Sequence, residues 1–248
     1  MEEKDKKIPA GEIVVQNRFV TWVSNVWYHH KWAIVATLFL IAVLTVCLVQ
    51  CAGRENTDLS VAYAGNYVMN GEQKDVLRRT FHGVIPADYN EDGNRAAALY
   101  TYAIFSDEEM RKNATSGEGV LDSYTYQAAK RTNVEEIQGM RSFLQTGECS
   151  IWLVSEEVYR ETQNVNIQYF CRPLSEVYST LPATAYDEYA VRLADTEFYK
   201  TYAALHFLPE DTLVVLLRSL PMGVSRDPEV YRRSEETFRA VVDFRAPQ

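Results

Sequence analysis

Cysteine, histidine and basic residues are all scarce in this sequence. Its 248 residues include four cysteines and four histidines, and 34 acidic side chains outnumber 25 basic ones, which gives a formal net charge of −9. A fold held together by disulfide bonds needs more cysteines in a shorter chain. A dedicated nucleic-acid-binding protein needs a surplus of Lys and Arg to neutralise phosphates. The sequence therefore excludes a disulfide-rich miniprotein and predicts no nucleic-acid partner.

Motifs that carry common catalytic chemistry are missing as well. The sequence has no glycine-rich phosphate loop, no paired-histidine zinc motif and no serine nucleophile elbow. His82 and His206 stand alone, and the carboxylate pair Glu156–Glu157 lies in a predicted helix, where adjacent side chains point apart. The sequence therefore predicts a protein that is not an enzyme. Because 47% of its residues are hydrophobic, intrinsic disorder is excluded too.

One long apolar run without charges is present near the N-terminus, from Trp32 to Val49. Its length of about 18 residues is what a helix needs to cross the hydrocarbon of a bilayer. Trp22 and Trp27 precede the run, and such aromatic rings are typical of the interface between lipid and water. We predict a transmembrane helix over residues 32–50, with the lipid bilayer as its partner. The alternatives are a buried core helix, a cleaved signal peptide and lipidation at Cys51.

The distribution of basic residues predicts the orientation of this helix. Five Lys and Arg residues precede the run, whereas Arg54 alone follows it within the next twenty residues. Because Lys and Arg flanking a membrane helix stay on the cytoplasmic side, residues 1–31 are predicted to form a cytoplasmic juxtamembrane segment. Residues 55–248 are then an extracytoplasmic domain. We therefore expect a single-pass protein of the cell membrane, held by an uncleaved signal anchor.

Hydrophobic periodicity predicts alternating strands and helices in residues 55–248. Short apolar runs bounded by turn residues indicate strands, and apolar residues at helical spacing indicate helices. The predicted strands span residues 58–64, 96–105, 150–154, 189–193 and 212–217. The predicted helices span residues 72–81, 122–144, 155–160 and 228–244. This alternation predicts an α/β domain with a mixed sheet, whose faces are covered by helices 122–144 and 228–244.

A turn at residues 88–94 has the composition of a cation site. Side chains that bear oxygen alternate along it, and Gly93 allows a sharp bend, as in the first half of a calcium-binding loop. These side chains are Asp88, Asn90, Asp92 and Asn94. Leu99 occupies the twelfth position, where a glutamate would close such a loop. The sequence therefore predicts either a looser calcium site or a turn that Asn, Asp and Gly build without metal.

Two cysteines fall in the predicted extracytoplasmic domain, where the compartment permits oxidation. Cys149 adjoins the predicted strand 150–154, and Cys171 follows a further short strand candidate at 168–170. We interpret them either as a disulfide or as two buried free thiols.

Two resemblances to known families add to this reading. The block NVWYHHKWAIVATLFLIAVLTVCLVQ at 25–50, the strand DLSVAYAG at 58–65 and the turn at 88–93 resemble an uncharacterised family of single-pass membrane proteins of clostridia and related Gram-positive bacteria. The stretches FLQTGECSIWLVSEEVYRE, CRPLSEVY and YAVRLADTEFYKTY are similar to extracellular solute-binding proteins of ABC importers. The second resemblance implies a reduced periplasmic-binding-protein-like fold, because solute-binding proteins are longer and have two lobes.

Together, these features predict a membrane-anchored binding or sensing module, with a small-molecule ligand or a membrane-protein partner. The alternative is a structural or assembly partner of an envelope or transport complex, and a hydrolase with an unusual site is a third hypothesis. A ligand-sized cleft between two lobes would favour the binding module, and its absence would favour the assembly partner.

Overall fold

The structure is a computed structural model, and it describes residues 18–52, 57–117, 119–147, 151–163, 169–218 and 228–246. The chain divides into two compact units, Met1–Glu55 and Asn56–Gln248. The described part of the first unit is a single helix. The second unit is built on a five-stranded sheet with helices on both faces.

Helix α1 spans Arg18–Ala52 and begins well before the predicted start, because residues 18–31 contain no glycine or proline to interrupt it. Its stretch Val26–Val49 has 24 residues, none of them buried against other parts of the protein. At the usual rise per residue this stretch measures about 36 Å. Helix α1 is therefore long and apolar enough to span a membrane, and a signal sequence has the same properties.

Five strands form one mixed sheet in the second unit. They are β1 (Leu59–Gly65), β2 (Ala97–Ala103), β3 (Ile151–Ser155), β4 (Ala190–Arg192) and β5 (Thr212–Leu216). Their order across the sheet is β2-β1-β3-β5-β4. Strand β1 is parallel to β2 and β3, whereas β5 is antiparallel to β3 and β4. The predicted mixed sheet is confirmed, and the five strands listed from the sequence each have a counterpart in it. The further candidate at 168–170 is no strand over the described residues 169–170, although Cys171 after it forms an isolated bridge with Leu217.

Six helices accompany the sheet in the described part of this unit. They are α2 (Gly71–Val84), α3 (Asp107–Asn113), α4 (Ser123–Thr146), α5 (Glu156–Gln163), α6 (Glu197–Thr201) and α7 (Pro228–Val242). The predicted helices correspond to α2, α4, α5 and α7. The sequence also places the carboxylate pair Glu108–Glu109 in a helix, without bounds, and this helix is α3. Helix α6 escapes prediction because five residues are too few to show a hydrophobic period.

Local chemistry sets the ends of the helices that lie near the candidate sites. Ser106 and Glu109 form a capping box at the start of α3, in which each side chain accepts the other residue's backbone N–H. Helix α4 ends at Gly147, whose φ of 67° is in the left-handed region that glycine tolerates.

Alternate residues of each strand face two different helical layers. Leu59, Val61 and Tyr63 of β1 pack in a cluster that contains residues of α2, α6 and α7. Ala62 and Ala64 pack in a second cluster, with residues of α4 and α5. Strands β3 and β5 are buried throughout because both faces of the sheet are covered. As predicted, α4 and α7 cover opposite faces.

Candidate functional site

The carboxyl ends of β1 and β3 form the topological switch point of the sheet. Strands β2 and β3 lie on opposite sides of β1, and the connecting helices α2 and α4 cover opposite faces. Ligands of open α/β sheets bind in the crevice outside the carboxyl ends of the strands at such a point. A ligand of this sheet is therefore expected at this edge.

At this edge of the sheet, side chains pack closely around Gly65. A Cβ atom on Gly65 would lie 2.8 Å from the Tyr63 hydroxyl oxygen and 3.0 Å from Ser155 Cβ. The Tyr63 hydroxyl is buried and makes no hydrogen bond to a described residue; the Tyr67 amide is near it but lacks hydrogen-bond geometry. Burial raises the pKa of Tyr63. The Thr212 hydroxyl is likewise buried without a hydrogen-bond partner among the described residues. The close contacts around Gly65 leave no room there for a ligand.

Carboxylates surround a shallow crevice at the same edge. Its wall consists of Glu156, Glu157, Arg160, Glu161 and Asp211. Glu156 pairs with Arg160 and, at 2.9 Å, with Arg192. Burial and the negative charge of surrounding carboxylates, Glu109 first among them, raise the pKa of Glu157. Among the described residues, no group of three His, Cys, Asp or Glu is arranged to hold a metal ion, so the crevice is a negative surface without a preformed cation site.

A separate cavity of about 330 Å³ lies between α4 and α5. Helix α4 contributes Ile137, Met140, Arg141, Leu144 and Gln145 to its wall. These residues recur at intervals of three and four, so they share one face of the helix. The remaining wall residues are Val158, Glu161 and Thr162 of α5, Ile104 at the end of β2, and Tyr169 and Phe170 after α5.

The size and chemistry of this cavity match those of small-molecule sites. Such sites have volumes of roughly 300–1,000 Å³ and mostly apolar walls with a few polar groups. Met140, Leu144 and Val158 form a buried apolar floor here. The hydroxyl of Thr162 donates to the Val158 carbonyl oxygen at 2.9 Å. Its oxygen keeps a lone pair that a ligand donor can use.

Two opposite charges face this cavity from its two helices. Arg141 of α4 and Glu161 of α5 both line the wall, and both are exposed to solvent. Within the described part of the chain, neither makes an ion pair or a hydrogen bond. The cavity therefore combines an apolar floor with a cation and an anion that no described residue pairs.

The predicted acidic turn is closed by its own hydrogen bonds. Asp88 Oδ2 accepts from the Gly93 amide at 2.7 Å, and Asp92 Oδ1 accepts from the Asn94 amide at 2.8 Å. The Asn90 side chain accepts from the Asp92 amide at 3.1 Å. Only Asp88 Oδ1 is buried without a partner among the described residues of the turn. The pattern favours the metal-free turn, and the calcium site stays a prediction.

The predicted disulfide lies partly outside the described residues, since Cys149 is not among them. Cys171 is buried, and its thiol bonds to no described cysteine. Burial raises the pKa of this thiol, so it stays protonated and unreactive. The pairing of Cys149 with Cys171 remains a prediction.

Comparison with protein-family models, with curated proteins and with solved structures finds no match for this chain. Any function assigned to the cavity therefore rests on the residues that line it. Sequence reasoning missed the cavity because Ile137, Met140 and Leu144 have the spacing of ordinary core residues. The one available signal was Arg141, a charge beside that apolar stripe.

Proposed function

We propose that this chain is a membrane-anchored, non-catalytic binding module, which takes a small and largely apolar ligand into the cavity between α4 and α5. The observation that carries the proposal is the volume of about 330 Å³ bounded by an apolar floor. Burial of a ligand's apolar surface there is favourable by about 25 cal/mol per Å² before the cost of binding is subtracted.

The wall of the cavity supports binding in preference to catalysis. Among the described wall residues, Glu161, Thr162 and Tyr169 carry groups of the kind that catalysis uses, but no hydrogen bond joins any two of them, and the Thr162 hydroxyl donates to the Val158 carbonyl oxygen instead. General acid–base and nucleophilic catalysis rely mostly on such groups within hydrogen-bond reach of one another. The charged residues of the wall, Arg141 and Glu161, suit recognition of a ligand's charged groups.

The anchor and the resemblances support the rest of the proposal. Helix α1 holds the chain at the membrane, and the excess of Lys and Arg before the apolar run favours a cytoplasmic N-terminus. The outer unit would then meet its ligand outside the cytoplasm. The similarity of residues 143–161 to solute-binding proteins agrees with a binding role and with a reduced periplasmic-binding-like fold.

One observation favours the alternative, a structural or assembly partner. Asn56–Gln248 forms one compact unit, whereas the predicted ligand cleft lies between two lobes. The cavity between α4 and α5 has to serve as the ligand site instead, and a direct titration decides between the two functions.

The test is isothermal titration calorimetry on the full-length chain in detergent micelles, with L-norleucine, hexanoate and pentylamine as probes. We expect at least one of them to bind. Ile137→Trp should abolish binding, because the indole fills the cavity from α4. Val134→Trp is the matched control, since Val134 is exposed on α4 and does not line the cavity. If no probe binds the wild-type chain, the binding proposal fails and the assembly partner becomes the leading hypothesis.

A further inference from the structure

We infer that the ligand of the cavity between α4 and α5 is a small zwitterion with an apolar body, of which an apolar amino acid is the simplest form. This inference rests on the proposed function and assigns a chemical class to its ligand. It is carried by the placement of Arg141 on α4 and Glu161 on α5, two exposed residues that line one largely apolar cavity.

Charged residues on α4 and α5 fall into two groups, those with an ion pair and those without one among the described residues; Glu136 and Glu157 belong to the second group together with Arg141 and Glu161. On α4, Arg131 pairs with Glu135 one turn along the helix. On α5, Arg160 pairs with Glu156. Arg141 and Glu161 sit on the same two helices, yet neither makes an ion pair or hydrogen bond with a described residue. No described residue therefore competes with a ligand for the Arg141 guanidinium or the Glu161 carboxylate.

The chemistry of each rim group selects one end of a zwitterion. A guanidinium presents a planar fork of donors that matches the two oxygens of a carboxylate. A carboxylate accepts hydrogen bonds from an ammonium group. The negative potential around α5, which Glu161 shares with nearby Glu157 and Asp211, strengthens the attraction for a cation at this end of the cavity.

The floor of the cavity selects the rest of the ligand. Met140, Leu144 and Val158 are almost completely buried and present only apolar atoms to the interior of the cavity. An aliphatic or aromatic body removes that surface from water, whereas a polar body would lose its own hydration without replacement hydrogen bonds. Because both charged groups lie at the solvent-exposed rim, the charged ends of a zwitterion stay close to water while its body is buried.

The three probes of the titration separate these contributions. Hexanoate lacks the ammonium group of L-norleucine, and pentylamine lacks its carboxylate, but all three have an aliphatic chain. We expect L-norleucine to bind at least about tenfold more tightly than either of the others, since a hydrogen bond to a charged group is worth about that factor or more.

Substitutions at two exposed residues test which rim group binds the carboxylate of the ligand and which binds its ammonium group. Arg141→Gln should weaken L-norleucine and hexanoate about tenfold and leave pentylamine unchanged. Glu161→Gln should weaken L-norleucine and pentylamine and leave hexanoate unchanged. Arg131→Gln is the matched control, because the Arg131 side chain on the same helix is 85% exposed and does not line the cavity. Equal affinities for all three probes, or variants without effect, would overturn the zwitterion while the binding function stands. Absence of binding by any probe would overturn the binding function itself.

Discussion

At the scale of single residues, Gly65 controls how closely β1 and β3 pack at their carboxyl ends. We predict that Gly65→Ala lowers the free energy of unfolding by about 1–3 kcal/mol, the usual cost of overpacking. The added methyl group would meet the Tyr63 hydroxyl at 2.8 Å and Ser155 Cβ at 3.0 Å, and both residues are buried. Urea unfolding of the full-length chain in detergent, followed by near-ultraviolet circular dichroism, measures the change.

Two further variants separate this clash from a general effect of alanine. Gly83→Ala in α2 should be neutral or stabilising, because its Cβ would lie 3.8 Å from the Tyr202 hydroxyl, an ordinary contact. Tyr63→Phe removes a hydroxyl that makes no hydrogen bond to a described residue, so it should leave stability unchanged or raise it. It should also reduce the penalty of Gly65→Ala. Wild-type stability for Gly65→Ala would show that the strands separate easily at this edge.

Asp58 illustrates which residue roles sequence reasoning does not reach. The sequence predicts Asp58 as the first residue of the strand 58–64. In the structure Asp58 immediately precedes β1. Its carboxylate accepts the amides of Tyr89, at 2.7 Å, and of Ala96, at 2.8 Å. These partners lie 31 and 38 residues along the chain, and no local pattern indicates such a contact.

At the scale of elements, the strands were predictable because buried strands consist mostly of apolar residues, which the sequence shows directly. Strands β1, β3 and β5 lie in the middle of the sheet and are covered on both faces, so they appear as nearly continuous apolar runs. The order of the strands was not predictable, because the pairing of β1 with β3 joins residues about 90 positions apart. The cavity could not be predicted either, because its wall combines residues from four separate segments of the chain.

The acidic turn between α2 and β2 allows a test at this scale. Oxygens of Asp88, Asn90 and Asp92 already accept hydrogen bonds from amides of the turn, and these residues are not arranged as the six to eight ligands that calcium takes. We therefore expect millimolar calcium to leave the melting temperature of the full-length chain unchanged. Asp88→Ala should lower that temperature with or without calcium, because the Gly93 amide loses its acceptor.

Differential scanning calorimetry in calcium, in magnesium and in a chelator distinguishes the two hypotheses. A ligand that binds only the folded turn raises the melting temperature by mass action. A rise that is specific for calcium and disappears in Asp88→Ala would establish the calcium site in place of the metal-free turn.

At the scale of the whole molecule, charge and apolar surface are divided between the two units. The apolar stretch Val26–Val49 belongs to the first unit, and all but four of the 34 acidic residues lie beyond Arg54. An acidic surface keeps the second unit soluble, and it has no bearing on orientation, which depends on Lys and Arg. The sequence alone therefore supplies both parts of the topology prediction, the anchor and its direction.

That topology predicts which side chains an impermeant reagent reaches in intact cells. Tyr124 on α4 is 84% exposed, and Arg18 at the start of α1 is exposed on the other side of the apolar stretch. In cells that express the full-length chain, Tyr124→Cys should react with a membrane-impermeant maleimide, whereas Arg18→Cys should react only after permeabilisation with detergent. The wild-type chain measures labelling of the natural cysteines. Epitope tags at both ends test for cleavage, because an uncleaved anchor keeps both tags on one band of full length. Protection of Tyr124→Cys in intact cells would place the second unit in the cytoplasm. Loss of the N-terminal tag from the mature band would identify α1 as a signal sequence.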